Sequence, residues 1–169
     1  MKKEDYPKWI YHGSRVIDLP EMAAGFVYRI VFDEKDVYGN NFQYIGKKLA
    51  VSTEKKKCLK SGSLRKNHIR FTYKNQGGKR VCYEVLDKDT KWREYIGSAE
   101  AIKNENLTPI HREILYFCPN KKSMTYYEIK AMMLWDALEN MSFLNSNIQG
   151  TLYPKDTGLI RTGAEDGQN

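Results

Sequence analysis

The sequence predicts an α+β fold, and three observations carry that prediction. Two β-rich runs, residues 25–32 and 42–49, flank a polar turn and read as an antiparallel hairpin. A third extended run covers residues 109–117, and one long helical pattern follows at 124–140. The 169 residues make one domain's worth of chain, enough to bury roughly two-thirds of the unfolded surface around a single core.

Taken in order, Trp9, Ile10 and Tyr11 precede His12-Gly13-Ser14, and Val16, Ile17 and Leu19 follow. That pattern predicts a short hairpin or extended arm turning at His12-Gly13. The run 25–32 (G-F-V-Y-R-I-V-F) is nearly all apolar, as in a central strand covered on both faces. Residues 33–41 end in Tyr-Gly-Asn-Asn, a strong turn signal, and 42–49 return as the antiparallel partner. The composition then changes. Between Lys47 and Arg93 there are fifteen Lys or Arg against four acids, Glu54, Glu84, Asp87 and Asp89. This basic insert contains Lys55-Lys56-Lys57, Ser61-Gly62-Ser63 and Gly77-Gly78. It reads as loop, a short helix or irregular piece, and a strand at 80–86. Like charges this dense repel one another, which predicts a segment that is either mobile or phosphate-facing.

Ser98 is the expected N-cap of a short helix, with Glu100 in its first turn and an end near Asn104. Pro119-Asn120 closes the third strand. Ser123 is the expected N-cap of the long helix, in which Tyr127, Met132, Trp135 and Leu138 recur at helical spacing. Residues 143–152 return to extended structure or loop. The last stretch, 154–169, is rich in Gly, Asp and Thr and forms a flexible tail beyond a domain at 1–153. Tyr95-Ile96-Gly97 echoes Tyr44-Ile45-Gly46 but lies too far from Tyr28 to make a hairpin with it.

The formal charge is +7, the pI is near 9.2, and 12% of residues are aromatic. Lys and Arg displace counterions from phosphates and aromatic rings stack on bases, so this composition suits a polyanion partner. Cys58, Cys82 and Cys118 are odd in number and show no C-x-x-C spacing, which predicts reduced thiols in a cytosolic setting. His12, His68 and His111 are scattered without ligand spacing, which argues against zinc; His111, in the third strand, is a candidate for an extra acid or base. Residues 1–7 lack the apolar run of a secretory signal, and no stretch approaches the ~20 apolar residues of a membrane span.

The hairpin carries two tyrosine-ended tripeptides, Phe26-Val27-Tyr28 after Gly25 and Tyr44-Ile45-Gly46 before Lys47-Lys48. They resemble the paired tripeptides of the GIY-YIG endonucleases. Further segments are similar, in order, to the phage-encoded freestanding Seg-type homing endonucleases: I-D-L-P (17–20), W-R-E-Y-I-G-S (92–98), R-E-I-L-Y-F-C (112–118) and Y-Y-E-I-K (126–130). The resemblance spans residues 9–151, nearly the whole chain. It implies a small three-stranded antiparallel sheet flanked by helices, with the tyrosines side by side. It also implies hydrolysis of a DNA phosphodiester with one divalent metal, Mg²⁺ or Mn²⁺. By the same resemblance Tyr28 acts on or positions the attacking water and Tyr44 shares that hydrogen-bond network. Glu128 holds the metal, and Asn145, or else Asn147, braces the site.

The chemistry asks for these residue types. A phosphodiester's charge resists a nucleophile, so a cation must neutralise it and acidify a water. Magnesium often needs only one or two protein carboxylates. A tyrosine is a poor base at its ordinary pKa of ~10, and surrounding lysines are expected to lower it. Two departures stand out. The paired tyrosines are sixteen positions apart, wider than the family's usual spacing. The family's helix arginine, aimed at the scissile phosphate, also has no counterpart, because the helix offers Lys103 and then Glu105. Lys47, Arg93 and Lys103 are the alternative cations. The insert supplies the expected DNA contacts: Lys48, Lys55, Lys56, Lys57, Lys60, Arg65, Lys66 and Arg70.

No helix-turn-helix or zinc finger is recognisable, so target choice falls to the insert, the arm or an oligomeric partner. A homodimer on DNA is one route to a double-strand cut. The expected setting is the cytoplasm of an infected bacterial host. The competing expectation is a non-catalytic nucleic-acid-binding module on the same scaffold, which the missing helix arginine favours.

Overall fold

The computed structural model describes residues 5–59 and 70–149, with the backbone alone of Arg70. Lys60, Arg65, Lys66, Ser61-Gly62-Ser63 and the expected tail lie outside the described residues. The strands are β1 (Ile10–Tyr11), β2 (Ser14–Arg15), β3 (Gly25–Lys35), β4 (Asn41–Leu49), β5 (Val51–Lys57), β6 (Arg70–Gln76), β7 (Lys79–Asp89) and β8 (Pro109–Cys118). Helix α1 (Glu100–Asn104) precedes β8 and α2 (Lys121–Leu134) follows it.

The architecture is α+β. Five strands form one sheet in the order β2-β1-β8-β3-β4, and β5-β7-β6 form a second. The antiparallel trio β8-β3-β4 is the centre of the larger sheet. The arm adds β1 parallel to β8, with Ile10 opposite Glu113, and folds back into β2 through His12 and Gly13, both at positive φ.

β3 is buried on both faces, as its unbroken apolar run requires. Phe26, Tyr28, Ile30 and Phe32 join Trp9, Trp92, Ile102 and Ile114 in one core. Val27 joins Ile45 of β4 and Met124, Ala131 and Met132 of α2 in the other. A helix of full length therefore covers one face only. The opposite face is covered by the arm, a 3-10 turn at Trp92–Glu94 and the five-residue α1.

Several boundaries differ from the sequence expectation for local reasons. β3 runs on to Lys35, so the turn contracts to residues 36–40, where Asp36 Oδ1 accepts the N–H groups of Tyr38 (2.9 Å) and Asn40 (2.8 Å). Helix α1 has Ala99 at its N-cap, without a side-chain cap from Ser98. Helix α2 starts earlier, capped by Asn120, whose Oδ1 accepts the Ser123 N–H at 3.0 Å. It also stops earlier, at Leu134. Asp136 turns left-handed (φ 49°), and the N–H groups of Asp136 and Ala137 return to the carbonyls of Met133 (3.3 Å) and Met132 (2.9 Å). This closure usually uses glycine.

The larger correction is the basic segment, which is a sheet and not a loop with one strand. β5 pairs with β7 from Val51 opposite Asp89 to Lys57 opposite Tyr83, and β6 pairs along the other side of β7 through the Gly77-Gly78 turn. Strand alternation splits the lysine run, setting Lys55 and Lys57 on one face and Lys56 on the other. Glu54 takes ion pairs from both Lys56 (3.0 Å) and Lys88. The same register brings Cys58 opposite Cys82, and the two are joined as a disulfide with Cα atoms 5.5 Å apart. The expectation of reduced thiols therefore fails for this pair, whose proximity lies across strands where sequence spacing does not reveal it. Cys118 is free and buried. Among the described residues no helix is long and apolar enough to cross a membrane.

Candidate active site

β4 is an edge strand, and its side chains divide between the faces of the sheet. Tyr44, Gly46 and Lys48 belong to the tyrosine-lined face, while Ile45, Lys47 and Leu49 meet α2. Tyr28 is 0% exposed and stands opposite Gly46 in the β3–β4 register. Only glycine leaves room there. A Cβ on residue 46 would lie 2.5 Å from the Tyr28 hydroxyl and 2.9 Å from Cε1 of Tyr44. The rings of Tyr28 and Tyr44 approach to 6.2 Å between centroids.

A third tyrosine completes the cluster. Tyr95 meets Tyr28 edge-on, with ring centroids 5.8 Å apart. Lys48 Nζ lies 4.0 Å over the Tyr95 ring. Ser98 shares a cavity wall with Tyr44. The second Tyr-Ile-Gly makes no hairpin with β3, yet its tyrosine packs against Tyr28. Arg112 holds this turn in place. Its buried guanidinium donates to the carbonyls of Pro7 (2.6 Å), Arg93 (3.0 Å) and Tyr95 (3.1 Å), and packs 4.8 Å over Trp9. Burial lowers its pKa to about 10, which leaves it charged at neutral pH.

Burial pushes the Tyr28 hydroxyl well above the ordinary tyrosine pKa, and Tyr44 and Tyr95 add to the shift. Tyr44 is raised for the same reason, with the Ser98 side chain opposing. The expected lowering by lysines does not occur. Lys47 is directed to α2, and Lys48 is itself desolvated enough to lose basicity. The raised values favour the protonated hydroxyls, which can donate hydrogen bonds.

On the α2 face, the Glu128 side chain is 14% exposed. Its Oε2 accepts from Lys47 Nζ at 2.7 Å and from Gln149 Nε2 at 2.9 Å. Lys47 also donates to Thr125 Oγ1 at 3.0 Å. Asn145 clamps Ile45 at two points, accepting its N–H at 3.0 Å and donating to its carbonyl at 2.8 Å. Asn147 donates to Ser146 Oγ at 3.2 Å. A cavity of about 420 Å³ opens across the β4 edge, and Tyr44, Ser98, Glu100, Glu128, Asn145 and Gln149 are on its walls. Residues from distant stretches of chain thus share one opening.

The other candidate cations lie elsewhere. Arg93 pairs with Asp18, donates to the Ile17 carbonyl at 3.2 Å and stacks 4.5 Å over Trp92, so the arm engages it. Lys103 lines a different cavity with Tyr6, Tyr95 and Asn106. Of the three, Lys47 is the one beside Glu128. His111 lies 4.0 Å from Glu113 and is not on the walls of the Glu128 cavity.

Among the described residues no three His, Cys, Asp or Glu converge as a metal cage. Glu128 and Glu100 both line the cavity and offer the oxygen donors that magnesium takes, with Glu128 Oε2 engaged by Lys47 and Gln149 in this structure. Sequence reasoning did not place Tyr95, Ser98, Glu100, Gln149 or Arg112 at the site. The repeated tripeptide signalled Tyr95; Arg112, beside Glu113 in the same strand, and Gln149 had no signal.

Residues 9–148 match the family described as "Putative endonuclease segE, GIY-YIG domain". No curated protein and no solved structure gives a significant match.

Proposed function

Because the chain belongs to the GIY-YIG family of SegE type, we propose that it is a divalent-metal-dependent DNA endonuclease acting at the β4 edge. The products would be 5′-phosphate and 3′-hydroxyl ends. The observation that carries the reading is the shared cavity, where Tyr44, Glu128 and Asn145 meet from distant parts of the sequence.

Glu128 would hold the ion, Mg²⁺ or Mn²⁺, with Glu100 as the second carboxylate on the wall. Bound there, the ion supplies charge neutralisation for the phosphodiester and acidifies a water. The chain's own groups do the rest. Tyr44, protonated and at the cavity wall, donates a hydrogen bond that orients the attacking water. Tyr28, fully buried, positions Tyr44 by ring contact and is itself packed by the Tyr95 ring. Asn145 keeps the edge strand in register. Lys47 holds Glu128 and places a positive charge where the family would use an arginine.

Residues 1–153 would form the nuclease domain, with the basic sheet as the DNA contact. The biology would be that of a phage homing nuclease in the cytoplasm of an infected bacterium, two copies assembling on DNA for a double-strand cut. A second reading, a binding module without catalysis, is favoured by one observation: Arg93 is tied to Asp18, and among the described residues no arginine lines the Glu128 cavity.

Supercoiled plasmid nicking separates them. The wild type with Mg²⁺ or Mn²⁺ should nick, and Glu128→Ala should not, with circular dichroism unchanged. Retained nicking by Glu128→Ala would sink the metal-ligand assignment. Salt-dependent DNA binding without cutting under either metal would favour the second reading.

A further inference from the structure

Residues 51–89 carry eleven Lys or Arg against four acids, a net +7, which is the whole of the chain's formal charge. The rest of the molecule balances to zero. The charge is therefore concentrated in the stretch of chain that contains β5, β6 and β7, three of its cations (Lys60, Arg65 and Lys66) lying outside the described residues. The register sorts its described side chains by face. Lys55, Lys57, Lys74 and Lys79 share one face; Phe71, Tyr73 and Arg80 share the other with the ion-paired Lys56, Glu54 and Lys88 and the buried Glu84.

The second face is unusual for a solvent-exposed sheet. Phe71 is 41% exposed and Tyr73 50%, on a strand that is the edge of its sheet. Being two residues apart on one strand, the rings are spaced about 6.7 Å along it. The Arg80 guanidinium carbon lies 4.1 Å over the Tyr73 ring, adding a planar cation to the row. Exposed edge aromatics invite self-association, so a sheet that keeps them has a partner for them.

The surrounding positive charge says which partner. A polyanion with flat apolar groups is a nucleic acid, and rings standing on a sheet reach bases only where those are unpaired. We propose that the Phe71–Tyr73–Arg80 face binds an unpaired DNA segment by base stacking. The lysine-rich opposite face supplies attraction to phosphate that does not distinguish single strand from duplex. This inference rests on the proposed DNA substrate and not on cleavage.

The test is fluorescence anisotropy in EDTA, so that no strand is cut. The probes are a labelled single strand of about 20 nucleotides, longer than typical stacking grooves, and the same sequence as a duplex. Phe71→Leu/Tyr73→Leu keeps apolar bulk and removes the π faces. It should weaken single-strand binding about ten-fold or more and leave duplex binding and the salt slope nearly unchanged. Phe71→Trp/Tyr73→Trp should restore the single-strand affinity. Unchanged single-strand binding by the leucine variant, or equal loss on both probes, overturns the proposal. Duplex cleavage by a wild type that ignores the single strand overturns it alone; binding to neither probe overturns the DNA reading as well.

Discussion

Gly46→Ala tests the tyrosine cluster most directly, because the structure states what the added methyl would strike. Its Cβ would stand 2.5 Å from the Tyr28 hydroxyl, 2.8 Å from Cζ of the same ring and 2.9 Å from Cε1 of Tyr44. Carbon atoms prefer about 3.5–4.0 Å, so one partner must move. Tyr28 has little room, packed between Trp9 (5.4 Å), Phe26 (6.0 Å) and Tyr95 (5.8 Å). Overpacking of this kind costs about 1–3 kcal/mol. A loss of that size leaves a typical domain folded but clearly weakened. Urea denaturation reads the loss, and plasmid nicking should fall with it. The double variant Gly46→Ala/Tyr28→Phe removes the atom of closest contact and should recover part of the stability. Stability within about 0.5 kcal/mol of wild type for Gly46→Ala, or no coupling to Tyr28→Phe, would refute the packing argument.

Three further outcomes are expected. Asn145→Ala removes both hydrogen bonds to Ile45, a buried residue, and should cost about 1–3 kcal/mol in thermal or urea unfolding. Lys47→Met breaks a partly exposed ion pair, so stability should change by less than about 1 kcal/mol while nicking drops; Lys47→Arg should restore nicking. Tyr28 ionises later in the folded protein than in the unfolded chain, so its contribution is full below pH ~10 and declines as pH rises through the folded pKa. Tyr28→Phe should therefore flatten the alkaline side of the stability profile, by up to about 1.4 kcal/mol per pH unit, measured by denaturation between neutral and strongly alkaline buffer.

What was legible in the sequence was what depends on local pattern. The hairpin was visible because two apolar runs flank Tyr-Gly-Asn-Asn, and β8 because Pro109 and Pro119 bracket it. The limits of α2 were less visible, since Asn120 outcompeted Ser123 as cap and Asp136 took a backbone role that glycine normally fills. The second sheet was missed because V-S-T-E-K-K-K has no apolar alternation; its pairing is set by β7, more than twenty residues later. Tyr95 makes no hairpin with β3, as its distance along the chain predicts; its contact with Tyr28 is between rings, which a backbone pairing pattern does not reveal.

The Asn145 clamp has a consequence beyond the site. A sheet edge is a template for another strand, and the amide of Asn145 occupies both backbone groups of Ile45 that a newcomer would need. One side chain thus extends by two residues the cover that the backbone of 142–144 gives the edge, where Gln43 donates to the Ser142 carbonyl and accepts the Leu144 N–H, each at 2.8 Å. Without it, that cover stops at Gln43, and the N–H and carbonyl of Ile45 open to a strand from a second copy. The expected end state of the Asn145→Ala variant is then a folded protein that sticks to itself, visible as growth in light scattering with concentration while its circular dichroism stays native.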